Sequence, residues 1–127
     1  MSQQDHPEVG AQVDAGGVKL LTRRVQGLDK TGLGQLADTL KNTLQSGVVV
    51  LASENDGRVA IVVSVTKDLV PTVHAGQIVK KIAPLVGGGG GGRPDFAEAG
   101  GRDPARIDRM LIEAIRVVAE MAGKMGN

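Results

Sequence analysis

The sequence predicts an α+β fold in which helices pack against a small sheet. Three observations carry this. Val48-Val49-Val50-Leu51-Ala52 and Val59-Ala60-Ile61-Val62-Val63 are dense apolar runs separated by Asn55-Asp56-Gly57, the chemistry of a tight hairpin. Three other stretches repeat their apolar residues at helical spacing. With 127 residues and 41% hydrophobic content, the chain is one domain, large enough for a real core but too short for two domains.

The elements follow in order. Residues 1–15 are polar and without period, and read as a flexible lead-in to a domain over 16–127. Val18-Lys19-Leu20-Leu21-Thr22-Arg23-Arg24-Val25 alternates well enough for a first strand. Asp29 opens a helix on which Leu33, Leu36, Ala37, Leu40 and Leu44 form the apolar stripe, with Gly47 as its terminator. The two apolar runs come next. They show little alternation, so both of their faces should be covered, at the centre of the sheet. A second helix runs from His74 or Ala75 to about Leu85, with Ala75, Ile78, Val79, Ile82 and Leu85 on its stripe and Lys80 and Lys81 off it. A third begins at Asp103 as N-cap and Pro104 as first residue, and continues through Ile107, Leu111, Ala114, Ile115, Val118 and Ala122. The order is β-α-β-β-α, a glycine loop, then α, with a short strand at Phe96-Ala97 as the one addition.

Composition removes several function classes. Net charge is +1, so any basic footprint must be local. Without cysteine there is no disulfide framework and no thiolate zinc site, and His6 and His74 stand too far apart for metal-ligand spacing. Phe96 is the sole aromatic ring, which leaves at most one platform for stacking unpaired bases. No signal peptide or membrane-length apolar run is present, so the expectation is a cytoplasmic protein without a membrane partner.

The most informative segment is Gly87 to Gly92, running into Arg93-Pro94-Asp95-Phe96-Ala97-Glu98-Ala99-Gly100-Gly101. Bare glycines let a backbone approach a ligand closely, their amides can turn inward around an anion, and Arg93 behind them suits phosphate. A flexible tether is the plain alternative. The absence of serine and threonine from the run, and the folded look of both flanks, count against it. The run leaves a helix end, so it is not the dinucleotide fingerprint, which follows a strand. Gly92-Arg93-Pro94 stands where a P-loop needs Gly-Lys-Ser/Thr. Asp95, Glu98, Asp103 and Asp108 gather nearby, but Asp103 reads as a cap and Asp108 as a solvated helix residue, so no catalytic residue is assigned. Arg106, Arg109, Glu113, Arg116 and Glu120 read as a solvated, salt-bridged helix face.

Three segments together carry a family resemblance: Val59–Val63 after its hairpin, His74-Ala75-Gly76-Gln77-Ile78-Val79-Lys80-Lys81-Ile82-Ala83, and Gly87 through Gly101. They resemble the C-terminal domain of bacterial alanyl-tRNA synthetases, in the DHH-associated domain family, from about Gly17 to the end. Phe96 stands where methionine is common in that family. The resemblance implies a small mixed sheet with flanking helices and a non-catalytic role, gripping the elbow of alanine-accepting tRNA while other domains of the parent synthetase aminoacylate and edit. Carried over by position, Gly87, Gly88, Gly89, Gly90, Gly91, Gly92 and Arg93 form the loop nearest the nucleic acid; as a separate expectation, a glycine loop of this length is mobile when free. Lys80 and Lys81 are added on charge and proximity alone. No cofactor is expected for this domain; ATP, magnesium and zinc are expected of the parent enzyme. Two alternatives stand beside this: the phosphate-holding domain of a DHH-type phosphoesterase, and a dimerisation or protein-interaction module. Weak self-association is an expectation of its own.

Overall fold

The computed structural model describes residues 9–125. Six strands form one sheet in the order β1-β2-β3-β4-β6-β5, where β1 is Val9–Ala15, β2 Val18–Gln26, β3 Val48–Asn55, β4 Arg58–Val65, β5 Gly89–Gly92 and β6 Phe96–Gly101. Three α-helices flank it: α1 Lys30–Leu44, α2 Ala75–Ile82 and α3 Ile107–Met125. The sheet is mixed. β2 and β3 are parallel, joined through α1, and every other neighbouring pair is antiparallel.

The unalternating runs sit where two-sided burial is demanded. Val48, Val50, Ala52, Ile61, Val63 and Val65 join the larger core under α2 and α3, while Val49, Leu51, Ala60 and Val62 pack under α1 with Leu33, Ala37 and Leu44. Each fully buried Val, Leu or Ile contributes about 1.5–3 kcal/mol, so these two central strands hold much of the fold's stability. The turn between them is two residues, Asp56 and Gly57, both at positive φ (51° and 79°), the twist-matching hairpin geometry.

Four sequence expectations need correction. The lead-in is not featureless through residue 15: Val9–Ala15 form β1, antiparallel to β2, while residues 1–8 lie outside the described residues. The sign of a strand here is the alternation of Val9, Ala11, Val13 and Ala15, of which Ala15 is buried and Val13 packs against the larger core. Secondly, α1 ends before Gly47. Gln45 takes the left-handed turn (φ 68°), and Gly47 is bare because a Cβ there would sit 2.8 Å from the Lys19 carbonyl. Thirdly, α2 stops at Ile82 and a 3-10 turn, Ala83–Val86, completes the stretch read as helix up to Leu85. Finally, Asp103 makes no side-chain cap. It precedes a 3-10 turn, Pro104–Arg106, and pairs with Arg106 at 3.3 Å.

Polar contacts lock the layers. Arg24 on β2 reaches Glu54 on β3 at 3.3 Å and Asp108 at the start of α3 at 3.1 Å, so Asp108 is an anchor for that helix as well as a solvated residue. Along α3, Arg116 bridges Glu113 (2.6 Å) and Glu120 (2.7 Å), as the charge pattern predicts. A second clasp joins the α1–β3 and β4–α2 connections. Thr66 Oγ1 accepts the Gly47 amide (3.0 Å), the Thr66 amide donates to the Gly47 carbonyl (3.1 Å), and Ser46 Oγ donates to Asp68.

The Ser46 hydroxyl, with Thr66 second, holds the Asp68 carboxyl below the usual aspartate value of 3.8. A depressed carboxylate pKa adds stability that is present above the unfolded value and lost as pH falls through the folded one. Ser46→Ala should therefore lower the Tm at neutral pH, and the gap to the parent should shrink once the pH is below 3.8. Thermal melts by circular dichroism at both pH values check this; a gap constant with pH would refute it.

Candidate functional site

The glycine run, expected as a loop, is a strand. Gly87 turns the chain out of the 3-10 segment in the left-handed region (φ 71°), where its amide donates to Pro84 O (3.0 Å) and the Gly88 amide to Ala83 O (3.1 Å). Gly89–Gly92 then pair with β6 in register Gly89–Gly100, Gly90–Ala99, Gly91–Glu98 and Gly92–Ala97. The short strand expected at Phe96-Ala97 runs six residues, to Gly101.

The reason for the glycines is steric. Arg93 N donates to Phe96 O (2.9 Å), so by the alternation of an antiparallel ladder Gly92–Ala97 and Gly90–Ala99 are the narrow, non-hydrogen-bonded pairs. A Cβ on Gly92 would stand 2.7 Å from Ala97 Cα, and one on Gly90 2.5 Å from Ala99 Cα. On Gly88 it would overlap the Gly100 carbonyl. Alternate members of the run are bare because β6 occupies the space their side chains would need. The others, Gly89 and Gly91, face outward: nothing lies within 4 Å of a Cβ on Gly89, and only Lys80 Cε, at 3.8 Å, approaches Gly91.

The strand's outer rim is consequently backbone. In the same alternation the Gly90 and Gly92 amides point away from β6, and no acceptor for them is present among the described residues. Helix α2 closes against this rim. Gly76 is so near that its Cβ would stand 2.7 Å from Gly92 O. The first amides of α2 are already used: Ala75 N donates to Pro94 O (2.8 Å), Gly76 N to Arg93 O (3.2 Å) and Gln77 N to His74 Nδ1 (3.2 Å). The Val65 amide takes Asp95 O (2.9 Å). The Arg93-Pro94-Asp95 turn is thus fixed through three of its carbonyls, and no inward-turned nest of amides forms there.

The residues singled out by sequence are brought only partly together. Lys80 lies over the outward face of β5. Lys81 is exposed one position on, about 100° further round the helix. Arg93 caps the far end of β5, 73% exposed, 3.4 Å from Asp95. It borders a hollow of about 400 Å³ between α1 and β6 that also meets Lys30, Gln35, Phe96 and Glu98.

Sequence reading missed a larger cleft, about 730 Å³, at the other end of β5. Gly87, Gly88, Gly89, Gly100 and Gly101 supply its backbone walls, and Lys30, Arg58 and Arg102 its charges, with no carboxylate in the lining. These cations lie 28 to 72 positions apart in the chain. The one local signal was Arg102, immediately after the closing Gly100-Gly101.

A three-layer module with one helix on one sheet face, two on the other, and a glycine edge strand defines a class of small backbone-presenting domains. The chain belongs to the DHHA1 domain family, whose profile matches residues 17–120. It is similar to the alanine–tRNA ligase of Solibacter usitatus, 53% identical over 95 residues, and to that of Anaeromyxobacter dehalogenans, 48% identical over 111 residues. Those matches cover 75% and 87% of this chain but only 11% and 12% of the ligases, so the chain spans about an eighth of their length. Among solved structures it is similar to the C-Ala domain of Aquifex aeolicus alanyl-tRNA synthetase, at 26% identity and a TM-score of 0.77, over 89% of this chain and 98% of that one. A DHH-domain protein at 16% identity and a TM-score of 0.59 shares the fold.

The steric account of β5 separates neighbouring glycines. Gly90→Ala should destabilise the protein by about 1–3 kcal/mol, the usual cost of forcing an extra carbon into a packed contact. Gly89→Ala should be neutral or stabilising by up to about 1 kcal/mol, through a less flexible unfolded chain. Urea unfolding of the two variants decides it; equal effects would sink the explanation.

Proposed function

We propose that this chain is the tRNA-binding module of an alanine–tRNA ligase and performs no bond-making chemistry itself. The observation that carries the reading is the outer surface of β5: a strip of backbone without side chains, flanked by Lys80 and Arg93. A protruding side chain would hold a stacked or paired nucleic-acid surface away. A bare strand lets that surface lie flat, with the Gly90 and Gly92 amides as donors to phosphate or ribose oxygens.

Similarity to the C-Ala domain over nearly its whole length supports the assignment to a synthetase, and the small share of each ligase covered supports a module in place of a whole enzyme. Folded RNA suits this surface better than unpaired RNA, because Phe96 is the only Phe, Tyr or Trp and it is half-buried against α1. In this reading the ligase's ATP, magnesium and zinc are held by its other domains; among the described residues there is no cluster of His, Asp and Glu able to hold a metal ion. Partnership through an apolar patch on α3 has little to build on, since Ile112 is the one exposed large hydrophobic residue described. Among the described residues, no helix is long and apolar enough to cross a membrane.

Fluorescence-anisotropy titration with folded tRNA and with an unstructured RNA of equal length, at two salt concentrations, tests the proposal. Folded tRNA should bind more tightly, more weakly at high salt, and Arg93→Ala or Lys80→Ala should each reduce the salt slope by about one unit. Equal or absent binding of both RNAs would overturn it.

A further inference from the structure

The cleft at the Gly87 end of β5 holds more positive charge than folding explains. Val59 pairs with Gly101 in the β4–β6 ladder, so Arg58 and Arg102 occupy the next opposed position outward. Like charges directly opposite on neighbouring strands are destabilising. Both side chains fall on the face that carries α1, because Val59, Ala97 and Ala99 take the other face. There they meet Lys30, the first residue of α1, where a cation also opposes the helix dipole.

None of the three cations forms an ion pair among the described residues, and no carboxylate enters the cleft to offset them, whereas Arg93 at the other end of β5 has Asp95 beside it. Arg102 is also positioned with care. Its amide donates to Val86 O at 2.8 Å, and its Cγ lies beside Gly87, 3.4 Å from where a Cβ would stand there.

We infer that this cleft is a phosphate-binding site, in which Arg58 and Arg102 face one phosphate from opposite strands and Lys30 closes it from α1. Two guanidiniums and one ammonium around a glycine-walled hollow suit an anion shared between them, with the planar forks matched to phosphate oxygens. For the origin of the phosphate, the inference rests on the RNA-binding reading: the cleft would take a backbone phosphate of the RNA whose surface lies on β5. Lys80 and Arg93 then grip one stretch of the backbone and Arg58 and Arg102 another, with the glycine strand between them. A free phosphate compound would offer the same chemistry.

The experiment is an amide-resolved NMR titration of the 127-residue chain with inorganic pyrophosphate and, separately, anisotropy with folded tRNA. Both are run on the parent and on the Arg58→Gln/Arg102→Gln double variant. Pyrophosphate should shift Gly87–Gly89 and Gly100–Arg102, and the variant should lose the response. The variant should bind tRNA about tenfold more weakly at low salt, with a salt slope smaller by about two units. Its Tm should match or exceed the parent's, since a repulsive pair has been removed, which separates lost binding from lost folding. Pyrophosphate shifts without any tRNA binding would uphold the phosphate site, assign it to a free phosphate compound and sink the RNA reading. Tight tRNA binding that the double variant leaves unchanged would sink the RNA-phosphate site alone. No pyrophosphate response at these amides would overturn the inference whatever the tRNA does.

Discussion

The approach of β5 to β6 is the constraint on which the functional half of this protein depends. Ala97 and Ala99 are small enough, and Gly88, Gly90 and Gly92 bare enough, for the two backbones to come closer than side-chain-bearing strands allow. That closeness brings the Arg93-Pro94-Asp95 turn over the start of α2, where its carbonyls satisfy amides that would otherwise be orphaned. It also lets Gly76 seat α2 against the strand. Widening the pair would loosen the cap, the helix and the sheet edge together.

The same geometry leaves the glycines two different tasks. Inward members of the run make room for β6, while outward members leave the rim smooth. Flexibility is needed at neither set. Gly87 alone uses a conformation that other residues rarely adopt, at the turn from the 3-10 segment into the strand. The glycine count, which on composition suggests a tether, is here the signature of close packing on one side and bareness on the other. An edge strand normally invites pairing with another chain. This one is four residues long and backed by α2, which limits what can add to it.

Charge is arranged by the topology in a comparable way. With a net charge of +1 the protein draws no polyanion from a distance. Five of its acids are committed elsewhere: Glu54 and Asp108 to Arg24, Glu113 and Glu120 to Arg116, Asp103 to Arg106. Among the cations without such a partner, Lys30, Arg58 and Arg102 line the cleft at the Gly87 end of β5 and Lys80 lies over its outward face. A near-neutral chain thus carries a local basic cleft at the Gly87 end of β5, where no carboxylate enters the lining, while Asp95 and Glu98 offset Arg93 at the other end.

Much of this was legible in the sequence. The unalternating runs at 48–52 and 59–63 read as two-sided central strands because only burial on both faces tolerates them, and Asp29, the α2 stripe and the α3 stripe placed the helices. Part of the family resemblance rests on residues that the structure shows to be sterically required, Gly76, Gly88, Gly90 and Gly92 among them. What stayed hidden depended on neighbours. β5, a run of glycines, has no side-chain pattern of its own and takes its identity from the strand beside it, whereas β1 does alternate (Val9, Ala11, Val13, Ala15), a signal masked by the polar residues around it. Arg58, Arg102 and Lys30 carry no common motif; the β4–β6 register and the α1 crossover alone bring them to one cleft. Local chemistry along the chain therefore determined the core, the helices and the bareness of the glycine segment. Strand pairing, a contact between residues distant in sequence, decided that the segment is a strand and which cations gather at its end.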